Sequence, residues 1–220
     1  MKVNNSKLIY KTITAYKEQN KKFGFSPKGV FWQNDKTQIA RFNSLINGIL
    51  TPDLDGGISI SDFGCGYGAF YRYIKNKQFM KNSSFIGYDI VDDFIFEAKK
   101  NYPNAEWKCS DKLGKETDYL FISGTLNMAF NYSINEWQRY LESKIEECFI
   151  HVKKVLAFNL LFAEKRKIEK GLFYSEIDRV FDFCDKNLGN TVISKTPGTE
   201  KDITVFVTKK FIQPKYYFFF

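Results

Sequence analysis

A chain of 220 residues is long enough for one sizeable core and tight for two. Its 44% hydrophobic and 26% charged residues exclude a disordered chain, and no apolar run approaches the ~20 residues of a membrane span. The formal charge of +8 permits contact with nucleic acid or a membrane surface without demanding it, because much of the excess is lysine scattered along expected helix faces (Lys7, Lys11, Lys17, Lys21, Lys22).

The first 50 residues read as two helices, an N-terminal helical lead-in. "SKLIYKTITAYKEQNKKF" places Leu8, Ile9, Ile13 and Tyr16 near one face, and "GFSPKG" interrupts it. "DKTQIARFNSLINGIL" carries Ile39, Phe42, Ile46 and Ile49 at helical spacing, with Asp35 and Gln38 placed for a capping box. From residue 55 the rhythm changes to alternating strand and helix. "ISISDFG" is a strand, "AFYRYIKNKQ" a helix, "SSFIGYDI" a strand, and "VDDFIFEAKKNY" a helix with acids in its first turn, where the macrodipole favours them. "AEWKCSD" and "TDYLFISG" are the third and fourth strands. The helix "INEWQRYLESKIEECFIHV" follows, its start capped by Ser133 and Glu136. "KVLAFNLLF" is apolar throughout, as a strand covered on both faces must be. After the helix "SEIDRVFDFCDKNL", the strands "TVISKT" and "ITVFVTK" are joined by a connection short enough for an antiparallel hairpin. This order predicts an α/β fold: a doubly wound, seven-stranded, mostly parallel sheet with a C-terminal antiparallel hairpin and N-terminal helical cover. The expected organisation is a single domain over 1–220, with its core at 55–210 and an aromatic tail at 211–220.

The stretch "SDFGCGYGAF" follows a strand and opens a helix, so its glycines sit at the carboxyl end of the first strand, where α/β sheets bind ligands. A P-loop is excluded, because no Gly-Lys-Ser/Thr follows. A dinucleotide fingerprint is compatible in spacing, with Gly64, Gly66 and then Ala69 in the third place. Asp62 opposes it, since a carboxylate repels a pyrophosphate and favours an ammonium group. Asp89 ends the second strand, where an acid accepts hydrogen bonds from ribose hydroxyls in any adenosine-type ligand, or else caps the next helix.

Asp62, Gly64, Gly66 and Gly68 match the (D/E)-x-G-x-G-x-G motif, and the chain resembles class I S-adenosylmethionine-dependent methyltransferases over roughly residues 55–210. That resemblance implies a Rossmann-like methyltransferase fold and S-adenosyl-L-methionine as cofactor. It implies that Asp62 and the glycines hold the methionine end, Asp89 and Ile90 the ribose region, Asp111 the adenine amino group, and Ser123 with Gly124 the region of the sulfonium. The upstream "GVFWQNDKTQIARF" is similar to the lead-in of a subset of small methyltransferases of unassigned substrate. There Gln38 and Arg41 are placed to reach the cofactor carboxylate, the alternatives being a helix cap and a surface charge. Trp32, Tyr67, Asn127 and Tyr174 are the candidates to face the acceptor, and Tyr174 or Glu176 the candidates for a base.

Two patterns read as decoys. Tyr140 and Lys144 form a Y-x-x-x-K pair without the glycines of a short-chain dehydrogenase, and read as surface residues. His151, the chain's one histidine, reads as a helix-end residue favoured by the dipole. Cys65, Cys109, Cys148 and Cys184 lack metal-ligand spacing and read as buried thiols of a reducing, cytoplasmic compartment; no metal is expected. The functional expectation is methyl transfer to oxygen or nitrogen of a small-molecule acceptor by a monomer or homodimer. An RNA methyltransferase using the basic surface and a non-catalytic cofactor-binding protein are the rivals.

Overall fold

The computed structural model describes residues 5–209, and the apolar runs between them assemble into one seven-stranded sheet. β1 (Ser59–Phe63), β2 (Ser84–Asp89), β3 (Glu106–Cys109), β4 (Thr117–Ile122) and β5 (Val152–Leu161) are parallel, in the order β3-β2-β1-β4-β5. A separate hairpin, β6 (Lys167–Glu169) and β7 (Leu172–Tyr174), intervenes before β8 (Asn190–Lys195) and β9 (Asp202–Thr208). β9 inserts between β5 and β8, antiparallel to both. The order reverses at β1 and β4, which opens a crevice at their carboxyl ends.

The crossover connections place helices on both faces. α2 (Asp35–Ile46), α3 (Ala69–Ile74) and α4 (Asp92–Asn101) bury Phe42, Phe70 and Phe94 against one face. α5 (Ile134–Phe149) and α6 (Ile177–Asn187) bury Leu141, Ile145 and Val180 against the other. The period of two is visible in β4, where Tyr119 and Phe121 face the first layer and Leu120 and Ile122 the second. α1 (Asn5–Phe23) lies across the strand ends. Its Leu8 packs with Trp137 of α5 and Phe173 of β7, while its Tyr16 meets Phe94 of α4 edge-on at 6.1 Å. Lys17 ties it to Asp92 at 2.6 Å.

The seven strands and their closing antiparallel pair stand where the sequence placed them, and Ser133 and Glu136 form their capping box. Four details differ. The cap of α2 is Asn34, whose Oδ1 accepts from the Thr37 N–H at 2.9 Å, so Asp35 is first-turn acid and Gln38 is free for another task. α3 stops at Ile74, and an extended Lys77 delivers Phe79 into the core. Cys109 is exposed at the end of an edge strand, whereas Cys65, Cys148 and Cys184 are buried. The β6–β7 hairpin was not expected, although Lys170-Gly171, both at positive φ, is a two-residue turn signal between "KIE" and "LFY". The aromatic tail lies outside the described residues. Among those described, no helix is long and apolar enough to cross a membrane.

Candidate active site

The glycine loop leaves β1 and is fixed to β2 by its own backbone. The N–H groups of Gly64 and Cys65 both donate to the Tyr88 carbonyl, at 2.8 and 3.0 Å. Asp89 Oδ2 accepts from the Gly66 N–H at 2.8 Å and Oδ1 from the Val91 N–H at 2.9 Å, so this one carboxylate orders both loops beside it. Gly64 has φ +78°, and a Cβ there would fall 2.0 Å from Thr125 Oγ1. Gly68, at φ +86°, begins α3; a Cβ on it would press Trp107 and Tyr102 at 3.0 Å. Its role is close packing behind the loop rather than contact with a ligand.

The strand ends present a row of groups to one cleft: Asp111 after β3, Asp89 and Ile90 after β2, Asp62 to Tyr67 from β1, and Ser123 to Thr125 after β4. α1 roofs it with Leu8, Thr12 and Tyr16; Val30, Trp32 and Gln38 close one side, and Trp137, Tyr140 and Lys144 of α5 the other. Asp62 is 1% exposed, and its Oδ1 has no hydrogen-bond partner. Burial first, and the Asp89 charge second, raise its carboxyl well above the usual range. Burial also raises Asp89, to about 6, against three backbone N–H groups that pull it down. Among the described residues lining the cleft the one cation is Lys144, and Glu147 holds its Nζ at 2.6 Å. The cleft therefore holds a buried carboxylate, Asp62, and a half-buried one, Asp89, with no free cation among the described lining residues, an environment for a cationic ligand.

One consequence is testable without any ligand. Asp62→Asn keeps the shape and removes a charge that no side chain of the cleft neutralises. The variant is expected to be more stable than the parent at pH 7 by about 1 kcal/mol, a melting-temperature rise of roughly 3 °C. The sign follows from the raised carboxyl: its cost to folding grows as pH rises from the unfolded-state value, so the gain is largest at neutral pH and shrinks towards pH 4. Thermal melts of both proteins across that range measure it.

Gln38, Asp62, Gly64, Gly66, Asp89, Ile90, Asp111 and Ser123 all line the cleft, as do Trp32 and Tyr67. Others do not. Arg41 turns away and forms a two-pronged ion pair with Asp202, at 2.6 and 2.7 Å, its guanidinium 4.2 Å over the Trp32 ring. Asn127 is buried behind the wall, its Oδ1 accepting from the Leu161 N–H at 3.1 Å. Tyr174 lies on the β6–β7 hairpin under Lys167 and Lys201, and Glu176 pairs with Arg166 at 3.6 Å. His151 follows α5, its backbone N–H donating to the Cys148 carbonyl, and does not line the cleft.

Tyr140 and Lys144, expected on the surface, line the cleft instead, because the α5 stripe facing the sheet is wide enough to carry both. Leu8, Thr12 and Tyr16 were also missed. Their spacing identifies a buried helix face but not what it covers, which depends on α1 crossing the strand ends.

No protein-family profile matches the chain. It is 26% identical over 156 residues, 69% of this chain and 93% of the other, to a Mycobacterium tuberculosis H37Rv protein bearing the provisional name methyltransferase Rv1506c. Among solved structures it is similar to magnesium protoporphyrin IX methyltransferase from Synechocystis PCC 6803 with bound S-adenosylmethionine. That match has a TM-score of 0.59 and 14% identity, over 79% of this chain and 82% of the other. A DhpI complex with S-adenosylmethionine superposes with a TM-score of 0.62 at 13% identity, over 90% of this chain and 96% of the other. At these identities the likeness to the solved structures is one of fold.

Proposed function

We propose that this chain is a class I S-adenosylmethionine-dependent methyltransferase that transfers the cofactor's methyl group to an oxygen or nitrogen of a small-molecule acceptor. The cleft fits the cofactor by its own chemistry. The unpartnered Asp62 Oδ1 suits the ammonium of the methionine end; Gly64 has no room for a Cβ, and Gly66, at φ +54°, takes the left-handed backbone that favours glycine. Asp89 and Ile90 would hold the ribose region, Asp111 the adenine amino group, and Ser123 with Gly124 the wall beside the sulfur. When bound, the cofactor supplies a methyl group already activated by its sulfonium; the residues supply alignment and exclusion of water. A pyrophosphate beside Asp62 and Asp89, with Lys144 already paired, would be repelled, which disfavours a dinucleotide.

The observation that carries the small-molecule reading is the roof. α1 and the Val30–Trp32 segment cover the crevice, so an acceptor enters a lined cavity rather than an open groove. Base-amino methyltransferases have (N/D)-P-P-(Y/F) after the fourth strand, where this chain has "SGTLN". The similar Synechocystis enzyme is named for a small-molecule acceptor, magnesium protoporphyrin IX.

Titration calorimetry with S-adenosylhomocysteine is expected to give saturable binding and NAD to give none. A clear NAD response with silence towards S-adenosylhomocysteine would refute the cofactor assignment. RNA binding that weakens steeply with salt would move the acceptor to nucleic acid.

A further inference from the structure

The residues that line the cleft fall into two groups, each taken as an arm. One runs over the ends of β2 and β3, past Asp89, Ile90 and Asp111, towards Tyr140. The other lies over the ends of β1 and β4, where Trp32 presses so close to Gly124 that a Cβ there would fall 2.8 Å from its ring. With the nucleoside in the first arm, the second is left for the acceptor. Val30, Trp32, Phe42, Tyr67 and Phe70 line it; Asp62, at the end of β1, is assigned to the cofactor's ammonium, and Asp202 holds Arg41 behind Trp32. Phe25, 42% exposed, has its ring 6.2 Å from that of Tyr67, and Phe31, 43% exposed, meets Tyr16 of α1 edge-on at 5.1 Å. Phe31 has φ +63°, a left-handed backbone that a bulky residue rarely adopts, and Trp32 follows it directly.

Two polar groups interrupt this apolar arm. Tyr67 is 6% exposed and its hydroxyl has no hydrogen-bond partner; the Gln38 side chain, 3% exposed, lies beside it. A buried, unsatisfied hydroxyl costs stability and persists where a ligand completes it. We propose that this arm takes an uncharged, flat, phenol-type acceptor, its oxygen positioned by the Tyr67 hydroxyl and the Gln38 carboxamide. The proposal rests on the methyltransferase reading above. Aromatic walls match an aromatic ring, and two neutral donors match an oxygen that becomes anionic. Burial raises the Tyr67 hydroxyl, so it stays protonated and donates. Neither residue takes a proton. The phenolic proton therefore passes to water at the mouth. An oxygen lone pair then forms the O–CH₃ bond as the CH₃–S bond breaks, its electron pair remaining on sulfur as a neutral thioether.

The test uses the full chain loaded with S-adenosylhomocysteine and titrated with 2-naphthol, followed by fluorescence. Saturable binding is expected, weakened about tenfold by Tyr67→Phe and by Gln38→Leu, while S-adenosylhomocysteine affinity moves less than twofold. Tyr67→Phe keeps the ring and its packing and is expected to fold, so it remains informative if Gln38→Leu does not fold. Turnover of 2-naphthol should rise with pH up to the phenol's own ionisation and shift when a more acidic phenol replaces it. The proposal is overturned if the loaded parent binds no 2-naphthol. It is equally overturned if Tyr67→Phe weakens S-adenosylhomocysteine itself tenfold, which would assign the pair to the cofactor's carboxylate. Failure of the parent to bind S-adenosylhomocysteine at all would instead remove the methyltransferase reading.

Discussion

Replacing Asp89 by alanine is expected to weaken S-adenosylhomocysteine binding roughly a hundredfold at pH 7.5, about 3 kcal/mol. The effect is large because one side chain does two things. Its two oxygens accept from the N–H groups of Gly66 and Val91, which sets the loops, and the same carboxylate borders the cleft where ribose hydroxyls would donate. Asp89→Asn keeps one acceptor oxygen but brings an N–H₂ against a backbone donor, and should cost roughly tenfold. The pH dependence carries a signature. Burial raises this carboxyl to about 6, from 3.8. Protonation removes an acceptor, so affinity should be flat above pH 7 and fall as pH drops below about 6, approaching tenfold per unit. Stability of the unliganded protein should run the opposite way. The folded state holds this proton more tightly than the unfolded state between about pH 4 and 6, so the Asp89 contribution makes the fold more stable as pH falls through that window. Asp89→Ala should flatten both dependences. Calorimetry and thermal melts on parent and variant decide it, and an alanine variant binding within threefold of the parent would end the assignment.

Arg41→Met is expected to destabilise the protein by about 3–5 kcal/mol and to lower its melting temperature by roughly 10 °C. The cause is the partner left behind. Asp202 is 3% exposed on β9, and the Arg41 fork is the cation that neutralises it, bridging α2 to the antiparallel end of the sheet. Asp202→Leu with Arg41→Met removes both charges together and should recover most of the loss, since a buried pair replaced by apolar groups of similar size is often neutral. S-adenosylhomocysteine affinity of the folded variants should stay within threefold. A thirtyfold loss of affinity with an unchanged melting temperature would return Arg41 to the cofactor.

These two residues mark how far the sequence could be read. Asp89's place at the cleft was legible because it follows from local order: an acid at a strand end, after a glycine loop, in an alternating βα chain. Arg41 was not, because its partner lies 161 residues away and comes alongside only when β9 inserts next to β5. Asn127 and Tyr174 failed for the same reason, since both are claimed by segments distant in the chain or by a hairpin whose turn is two residues long. Tyr140 and Lys144 show the converse error. Their spacing resembled a motif of another fold, and setting the motif aside also set aside two side chains that the packing of α5 turns towards the cleft.

The sequence by itself determined the strand and helix order, the seven-stranded sheet and the carboxylate-and-glycine loop at the end of its first strand, because periodicity, capping and glycine spacing act over a few residues. Only the tertiary structure decided which side chains meet over that loop. α1 crosses the strand ends, Arg41 is withdrawn by Asp202, and Tyr67 is left buried beside Gln38 with an unsatisfied hydroxyl. Those pairings depend on where distant elements dock, which is set by the packing of the whole core rather than by any local pattern.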